Sequence, residues 1–380
     1  MKKQLKVIHI HTDKKFISGT KVFEGSYFEN LVIVLGKKGN YSGFYENSAC
    51  YFKRSSGNVE KIISMCTAAD LVVFWNLDSI KSFIANQLPE EVKKVWRFFG
   101  FELYDITPED VSSDLTQKAS QKSVKDQFNE LVIKKIKRVK SLFKWRRSFE
   151  KEFEAAIPKM DFFLGIFKEE YDFLKTNRGE LPHFIQLPIL PSGKKPSNHQ
   201  KKDVIIVGNN RSYFNNHLDV LKIIEENNMI DATFMLPFNY GGVTPYSKKV
   251  RKTAKSISNV ELLENFLPVT EYEMLFNEAK AAVFNGYRQM AMANVFFAIK
   301  NDVKLYLNEK NIVLDWFRNE GFFVFTIQDF ENDLKNNNLM LSENEALHNA
   351  RQLKKLENKN TLENFQKKLY TSALAIKKSN

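Results

Sequence analysis

Residues Asp203–Ser212 read DVIIVGNNRS, and this stretch decides the fold class. Asp203–Val207 is a short apolar run that predicts a buried strand. The glycine and small polar residues behind it predict a sharp turn, and an amphipathic helix is predicted over Asn215–Glu226. A strand that passes through such a turn into a helix is one βα unit of a parallel sheet.

The same βα pattern recurs along the chain on both sides of this stretch. Predicted helices such as Ser79–Leu88 and Pro245–Ser256 separate short apolar runs. The predicted strands are Lys6–His11, Asn30–Leu35, Leu71–Leu77, Val95–Phe99, Asp161–Phe167, His183–Leu187, Asp203–Val207, Asp231–Leu236, Val260–Leu263, Ala281–Phe284, Lys304–Leu307 and Phe322–Phe325. Apolar strands alternating with helices indicate parallel sheets covered on both faces, so the sequence predicts an α/β protein.

One polar, basic and proline-containing segment, Leu190–Lys202, interrupts this pattern and suits an exposed linker. We therefore predict a Rossmann-like domain over residues 1–190, a linker over 191–202, a second Rossmann-like domain over 203–360 and a C-terminal helix over 361–380. Two such domains predict a cleft between their sheets, with ligands beyond the carboxyl ends of the strands.

Composition narrows the classes of function. The 380 residues carry a net charge of +12, and such a surface attracts nucleic acid, acidic lipid head groups or phosphorylated small molecules. Two cysteines are too few for a disulfide scaffold or a four-ligand zinc site, which favours a reducing compartment. The N-terminus lacks a signal-peptide core, and no stretch of about 18 apolar residues occurs. We expect a cytoplasmic protein whose membrane contact is peripheral.

Three motifs that would indicate other chemistry are absent from the sequence. Neither the G-x-G-x-x-G dinucleotide fingerprint nor a Walker sequence occurs, which weighs against oxidoreductase and P-loop functions. The D-x-D pair that holds a divalent metal on a sugar diphosphate in one large transferase class is also missing. We therefore expect no metal and no cofactor, with helix N-termini and basic side chains neutralising any bound diphosphate.

Candidate catalytic residues lie at two strand ends of the first half. His11 and Asp13 lie where the chain leaves the first strand, and histidine titrates near neutral pH, as a general base requires. Glu102 follows Gly100 at the end of a later strand, where it would face the cleft and accept a proton from an acceptor hydroxyl. The alternatives are a capping Asp13 with a partly exposed His11, and a surface carboxylate at Glu102.

Candidate donor-binding residues follow the strands of the second half. They are Asn209, Asn210, Ser212, Asn216, Tyr240, Tyr287, Arg288, Gln289 and Glu309. Backbone N–H groups at a helix N-terminus favour anions, and a neighbouring arginine and amide suit a diphosphate. Asparagine and serine are also ordinary N-caps, and the loop around Tyr240 is equally compatible with a plain connection.

A basic helix is predicted within residues 121–150. Apolar residues recur every three or four positions over Val124–Phe149, and eight lysines and arginines crowd its second half around Trp145. This pattern suits a helix lying on an anionic membrane. A domain helix with a solvated basic face is an equal alternative. Binding of nucleic acid is a third, although the motifs that would support it are missing.

At these strand ends the chain resembles the 4-acetamido-4,6-dideoxygalactose (Fuc4NAc) transferase family of enterobacterial common antigen synthesis. The family's G-A-D-L-Y segment is similar to Gly100–Tyr104, and its V-G-N-S segment to Val207–Asn210. Its S-N-E-H segment is similar to Asn215–His217. The R-Q-Q-G-I-G segment is similar to Arg288–Ala293, and a proline after the intervening strand to Pro237. The L-N-R-E-N segment is loosely similar to Leu307–Asn311.

The resemblance implies a GT-B fold, with the acceptor in the first domain, a nucleotide-sugar in the second and no essential metal. It also implies a lipid-linked saccharide acceptor at the inner face of the plasma membrane, and a last helix that returns to the first domain. The family's Asp is replaced by Glu102, and two of its glycines by Ala291 and Ala293. These differences leave the donor sugar open.

The sequence thus predicts a glycosyltransferase that moves a sugar, such as an acetamido-deoxy sugar, from a dTDP- or UDP-sugar to a lipid-linked saccharide in bacterial surface-glycan synthesis. Arg288 and the helix start near Met290 would stabilise the departing diphosphate. The main alternative is a non-catalytic basic module that binds nucleic acid or another anionic polymer. A third is a different two-domain α/β enzyme, such as a sugar epimerase.

Overall fold

The computed structural model describes residues 3–36, 49–104, 112–121, 149–189, 200–227, 231–359 and 361–375. Residues 122–148 of the predicted basic helix and residues 191–199 of the predicted linker lie outside these ranges. The contacts between Cα atoms divide the chain into two compact units. Of the described residues, 3–36, 49–102, 149–189 and 361–375 belong to the first unit, and the others to the second.

The first unit is built on a parallel sheet. Its strands are β1 (Leu5–His11), β2 (Phe28–Leu35), β3 (Cys50–Phe52), β4 (Leu71–Trp75), β5 (Lys93–Arg97), β6 (Phe162–Gly165) and β7 (His183–Gln186). Their order in the sheet is β3-β2-β1-β4-β5-β6-β7, and every pair is parallel. The central strand β4 is apolar and buried throughout, as expected where helices cover both faces of a parallel sheet.

The second unit contains a second parallel sheet. Its strands are β8 (Lys202–Val207), β9 (Thr233–Pro237), β10 (Val260–Leu263), β11 (Ala279–Phe284), β12 (Lys304–Leu307) and β13 (Phe325–Thr326). Their order is β10-β9-β8-β11-β12-β13, again with parallel pairs throughout. Both orders are Rossmann-like, because the chain adds strands to one side of the first strand and then to the other.

Helices follow most strands. They are α1 (Ser56–Thr67), α2 (Ser79–Gln87), α3 (Phe101–Tyr104), α4 (Asp114–Ser120), α5 (Phe149–Ala156), α6 (Lys168–Arg178), α7 (His217–Glu226), α8 (Pro245–Ser256), α9 (Val269–Glu278), α10 (Met292–Lys300), α11 (Ile312–Asn319), α12 (Ile327–Lys335), α13 (Glu343–Lys359) and α14 (Leu362–Ala375). Side-chain caps fix several starts: Asp78 accepts from the second and third N–H groups of α2, and Thr244 forms a capping box with Ser247 in α8. None of the described helices is long and apolar enough to span a membrane.

The last helix, α14, packs within the first unit. Phe365 is buried there with its ring centre 5.6 Å from that of Phe23, and the Gln366 amide donates to the Val22 carbonyl oxygen at 3.0 Å. Tyr370 donates its hydroxyl to the carbonyl oxygen of Lys3 at 2.9 Å. The helix α4 belongs instead to the second unit, although it precedes most of that unit in the chain and meets α7 from 103 positions away.

The predicted α/β class and the parallel sheets are confirmed. One strand was not predicted, another is shorter than predicted, and several others begin or end one or two residues away from their predicted bounds. The edge strand β3 was not predicted, because it is only three residues long and its residues are half-buried, which is too little for a strand pattern to be distinguished. The strand predicted over Phe322–Phe325 pairs only at Phe325 and Thr326. Phe322 and Val324 are buried by packing and not by strand pairing, which explains why their apolar pattern was misleading.

Candidate functional site

Each sheet reverses its strand order at one point, between β1 and β4 in the first unit and between β8 and β11 in the second. Loops from adjacent strands diverge at such a point, which leaves a crevice at the carboxyl edge where ligands bind in open α/β sheets. The predicted site residues in the second unit follow β8, β9, β11 and β12. In the first unit, His11 ends β1, Asp13 follows it, and Glu102 follows β5.

The turn after β8 requires a glycine. Gly208 has φ +68°, and a Cβ at this position would lie 2.5 Å from Nε2 of His217. His217 begins α7, is fully buried, and is held by Tyr246, whose hydroxyl lies 3.1 Å from its Nδ1. Burial lowers the pKa of the His217 imidazole to about 3, so the ring is neutral at physiological pH.

Three predicted donor-binding residues come together at the end of this turn. The Tyr240 hydroxyl accepts from the side-chain amides of Asn209 at 3.1 Å and Asn210 at 3.2 Å, while the Tyr240 ring remains half exposed. Ser212 donates its backbone N–H to Oδ1 of Asn210 at 2.7 Å. The Oδ1 atom of Asn209 is buried and has no hydrogen-bond partner among the described residues, so it is available to accept a hydrogen bond.

Asn216 is fully buried in a left-handed conformation, with φ +46°. Its Oδ1 accepts from the backbone N–H of Ser113 at 2.9 Å, and its Nδ2 donates to the carbonyl oxygen of Asn285 at 2.8 Å. Both ends of the Asn216 amide are therefore used within the protein. Asn216 therefore stabilises the start of α7 through hydrogen bonds to other parts of the second unit.

Arg288 lies in the loop that joins β11 to α10. Its guanidinium stacks on the ring of Phe214 at 3.8 Å, and only 7% of the residue is exposed. The helix α10 begins two residues later than predicted, at Met292, because Ala291 adopts a left-handed conformation with φ +55° and makes no side-chain cap. Arg288 and the uncapped start of α10 both follow β11. A cation beside a helix N-terminus is an arrangement that favours binding of an anion.

The remaining predicted donor-binding residues surround this loop less directly. Tyr287 is half-buried with Nζ of Lys310 4.7 Å from its ring centre, and burial raises the pKa of its phenol. Gln289 is half-buried beside Arg288. Glu309 is exposed, and its carboxylate accepts from the backbone N–H of Gln328 at 3.1 Å, near the start of α12.

His11 in the first unit is completely buried. Its ring stacks on Trp75 with ring centres 4.9 Å apart, and its Nε2 lies 3.1 Å from the Thr20 hydroxyl. Burial, with the nearby His9 and Lys81, lowers the pKa of the His11 imidazole well below its usual value. Asp13, two residues further, is half-buried at the point where the chain has left the sheet.

Glu102 is buried and is not the surface carboxylate of the alternative interpretation. Only 1% of the residue is exposed, and its two oxygens accept from Nε1 of Trp96 and the backbone N–H of Phe99, each at 3.2 Å. Burial raises the pKa of the Glu102 carboxyl above its usual value. A raised pKa makes the carboxylate a stronger base, which favours its accepting a proton.

A buried lysine in this region was not predicted. Lys81 in α2 is fully buried, and its ammonium donates to the Thr12 hydroxyl at 2.9 Å and to the Trp75 carbonyl oxygen. Its ammonium also lies 3.4 Å from the carboxylate of Asp78. Lys81 thereby joins the ends of β1 and β4 at the point where the strand order reverses. Lysine is rarely buried in proteins, so the sequence predicted only a solvent-exposed position on the helix for Lys81.

The second unit contains further site residues that were not predicted as such. Asn285 and Asn311 are buried amides, and Ser113 reaches Asn216 from 103 positions earlier in the chain. Among the described residues, no group of three or more His, Cys, Asp or Glu side chains is arranged to hold a metal ion.

No protein-family model matches the sequence, and no curated protein sequence matches it at a significant level. Several solved structures have a fold similar to that of this chain. The N-terminal domain of Candida albicans trehalose-6-phosphate phosphatase has a TM-score of 0.65 at 11% identity, covering 99% of this chain and 97% of that one. Anabaena HepE, solved with UDP and glucose, has a TM-score of 0.64 at 11% identity, covering 98% and 100%.

The lipopolysaccharide outer-core galactosyltransferase WaaB, in its apo form, is a third similar structure. Its TM-score is 0.58 at 10% identity, covering 97% of this chain and 99% of that one. At these identities the similarity is one of fold. Two parallel Rossmann-like sheets, matched over nearly the whole chain, give the protein the GT-B fold.

Proposed function

We propose that the protein is a glycosyltransferase that uses a nucleoside-diphosphate sugar as its donor. The observation that carries the proposal is the set of polar groups at the carboxyl edge of the second sheet. There, Asn209, Asn210 and Tyr240 are joined by hydrogen bonds, and the Asn209 Oδ1 is left for a ligand. HepE, whose structure contains UDP and glucose, has the same fold.

Arg288 and the N-terminus of α10 receive the departing diphosphate in this proposal. The negative charge on the leaving group grows as the bond to the sugar breaks, so a fixed cation and a helix N-terminus stabilise the transition state more than the ground state. Stacking on Phe214 holds the guanidinium in place before the donor arrives. We propose that this arrangement works without a divalent metal.

Glu102 acts as the general base that takes the proton from the acceptor hydroxyl, with His11 and Asp13 as the other candidates. The raised pKa of Glu102 supports the assignment. His11 is less suited, because a base becomes protonated when it accepts the proton, and burial disfavours the protonated imidazole of His11.

The finer assignment follows the resemblance to the Fuc4NAc transferases. We propose a dTDP- or UDP-linked donor carrying an acetamido-deoxy sugar, a lipid-linked saccharide acceptor, and surface-glycan synthesis in bacteria. Contact with the anionic inner face of the plasma membrane would come from residues 121–150, nearly all outside the described part of the chain. Loss of membrane association after neutralising the positive charges of residues 134–147 would support this contact.

A thermal-shift screen of the purified protein against UDP, dTDP, GDP, CDP and single-stranded DNA, with EDTA present, tests the proposal. A ligand that binds the folded state raises the melting temperature. We expect a rise with UDP or dTDP that persists in EDTA. A rise with DNA alone would overturn the transferase function and favour the basic binding module. Turnover of the sugar nucleotide without an acceptor would instead favour an epimerase.

A further inference from the structure

A chain of buried asparagines runs beneath the loop that carries Arg288. Asn308 donates to Oδ1 of Asn285 at 2.6 Å, and Asn285 in turn donates to the carbonyl oxygen of Asn216 at 3.3 Å. Asn216, as described, is held at its Oδ1 by Ser113. These amides join the turns after β8, β11 and β12 into one hydrogen-bond network.

Asn311 makes the most direct contact with the loop. Its single Nδ2 donates to the carbonyl oxygens of both Gly286, at 2.8 Å, and Arg288, at 3.0 Å. Its Oδ1 accepts from the backbone N–H of Val313 at 3.1 Å, which caps α11. The residue is 4% exposed. Asn311 thus fixes the backbone of Arg288 against the rigid start of a helix.

From this geometry we infer that Asn311 is a positioning residue for donor binding, which rests on the proposed function. It contacts the backbone of the Arg288 loop and acts on the diphosphate through that loop. If Asn311 no longer donates, the buried carbonyl oxygens of Gly286 and Arg288 lose their hydrogen-bond donor. The loss is unfavourable, and the loop shifts to a different backbone conformation. The guanidinium then leaves the position that the stack on Phe214 and the backbone together define.

Asn311→Asp is the sharpest test, because aspartate has the same shape and keeps the acceptor for Val313. It places an oxygen where Nδ2 stood, opposite two carbonyl oxygens. We expect the dissociation constant for UDP to rise about ten-fold or more, equivalent to about 1.4 kcal/mol. Binding of uridine should be unchanged because uridine has no phosphate. Lowering the pH from 7.5 to 5.5 should partly restore UDP binding by this variant, since a protonated carboxyl can donate one hydrogen bond.

Asn349→Asp is a matched control. Asn349 is 1% exposed, accepts from the backbone N–H of Phe323 at 2.8 Å and donates to the Phe323 carbonyl oxygen at 3.0 Å. The same isosteric change therefore creates the same kind of repulsion on a loop that carries no site residue. We expect a lower melting temperature with UDP affinity close to that of the wild type.

Hydrogen exchange of the backbone amides of residues 286–290, measured without nucleotide, gives a second readout. We expect faster exchange there in Asn311→Asp and no change in Asn349→Asp. If the wild type binds UDP, and folded Asn311→Asp binds it equally well with unchanged exchange, the positioning role is overturned. If the wild type binds no nucleoside diphosphate, the proposed function fails, and the exchange result alone decides whether Asn311 orders the loop.

Discussion

The guanidinium carbon of Arg288 lies 3.8 Å from the centre of the Phe214 ring, so the cation of one loop is stacked on a side chain of another. Phe214 belongs to the short turn of residues Tyr213–Asn215, between β8 and α7, and is itself buried. The turns after β8 and β11 are therefore joined by a ring contact as well as by asparagine hydrogen bonds. This contact orients the planar charge, which lysine cannot imitate.

Replacing Arg288 by Lys should weaken UDP binding more than replacing Phe214 by Leu. Lysine keeps the charge but loses the bidentate donor geometry and the stacking. Leucine at 214 removes only the stacking, worth about 0.5–2 kcal/mol, and should raise the dissociation constant by about 2- to 30-fold. Isothermal titration of both variants with UDP checks this order. Equal affinity of Arg288→Lys and the wild type would show that UDP binding does not depend on the bidentate geometry or the stacking of the guanidinium.

The turn after β8 should not tolerate a methyl group at Gly208. Alanine at φ +68° is strained by about 1–2 kcal/mol, and its Cβ would also meet the ring of His217. Gly208→Ala should therefore lower the free energy of unfolding by more than that amount in urea titrations. Gly57, in α1, is the control, because a Cβ added there would point into open space. Gly57→Ala should instead raise stability by about 0.5–1 kcal/mol.

Acid should destabilise the first unit through His9. Burial lowers the pKa of its folded-state imidazole to about 4, against about 6.5 in the unfolded chain. Between these values the unfolded chain binds the proton and the folded protein does not. The contribution of His9 to stability is therefore fully present above pH 6.5 and falls by up to about 1.4 kcal/mol per pH unit as the pH drops toward 4.

His9→Gln should reduce this loss. In the wild type, Trp75 donates to Nδ1 of His9 at 3.3 Å, and Nε2 lies 2.9 Å from Oδ1 of Asn30. Glutamine can accept a hydrogen bond from Trp75 and donate one to Asn30, but its side chain does not titrate in this pH range. Urea titrations at pH 7 and pH 5 measure the difference, with the exposed His183→Gln as the control. An unchanged pH dependence in His9→Gln would contradict the assignment.

The strands and the glycine turn could be predicted from the sequence, because apolar runs and a left-handed glycine are local properties. The left-handed backbone of Ala291, with φ +55°, was not predicted, because alanine rarely adopts this conformation. Contacts between distant residues could not be predicted. Ser113 contacts Asn216 although 103 positions separate them in the sequence. The sequence also does not distinguish an asparagine that caps a helix from one that binds a ligand or stabilises a loop.

Lys81 illustrates the same limit in the first unit. Its sequence context, a lysine in an amphipathic helix, indicates a solvated surface position, and only the fold shows that its ammonium is enclosed by Thr12, Trp75 and Asp78. Burial lowers the pKa of the Lys81 ammonium, whereas the charges of Asp78 and Glu102 act in the opposite direction. The candidate base Glu102 thus lies within the field of a buried cation that the sequence did not reveal.

Replacing Glu102 by Gln tests the base directly. A general base must be deprotonated, so kcat/KM of the wild type should rise with pH through the raised pKa of Glu102 and then level off. Glu102→Gln should lose about 100-fold or more in kcat and lose this acidic limb, while UDP affinity stays as in the wild type. Glutamine leaves one amide N–H facing Trp96 or Phe99, so circular dichroism must show an intact fold. Near-normal turnover in a folded Glu102→Gln protein would exclude Glu102 as the base, and the same measurements on Asp13→Asn and His11→Gln would then decide between the two remaining candidates.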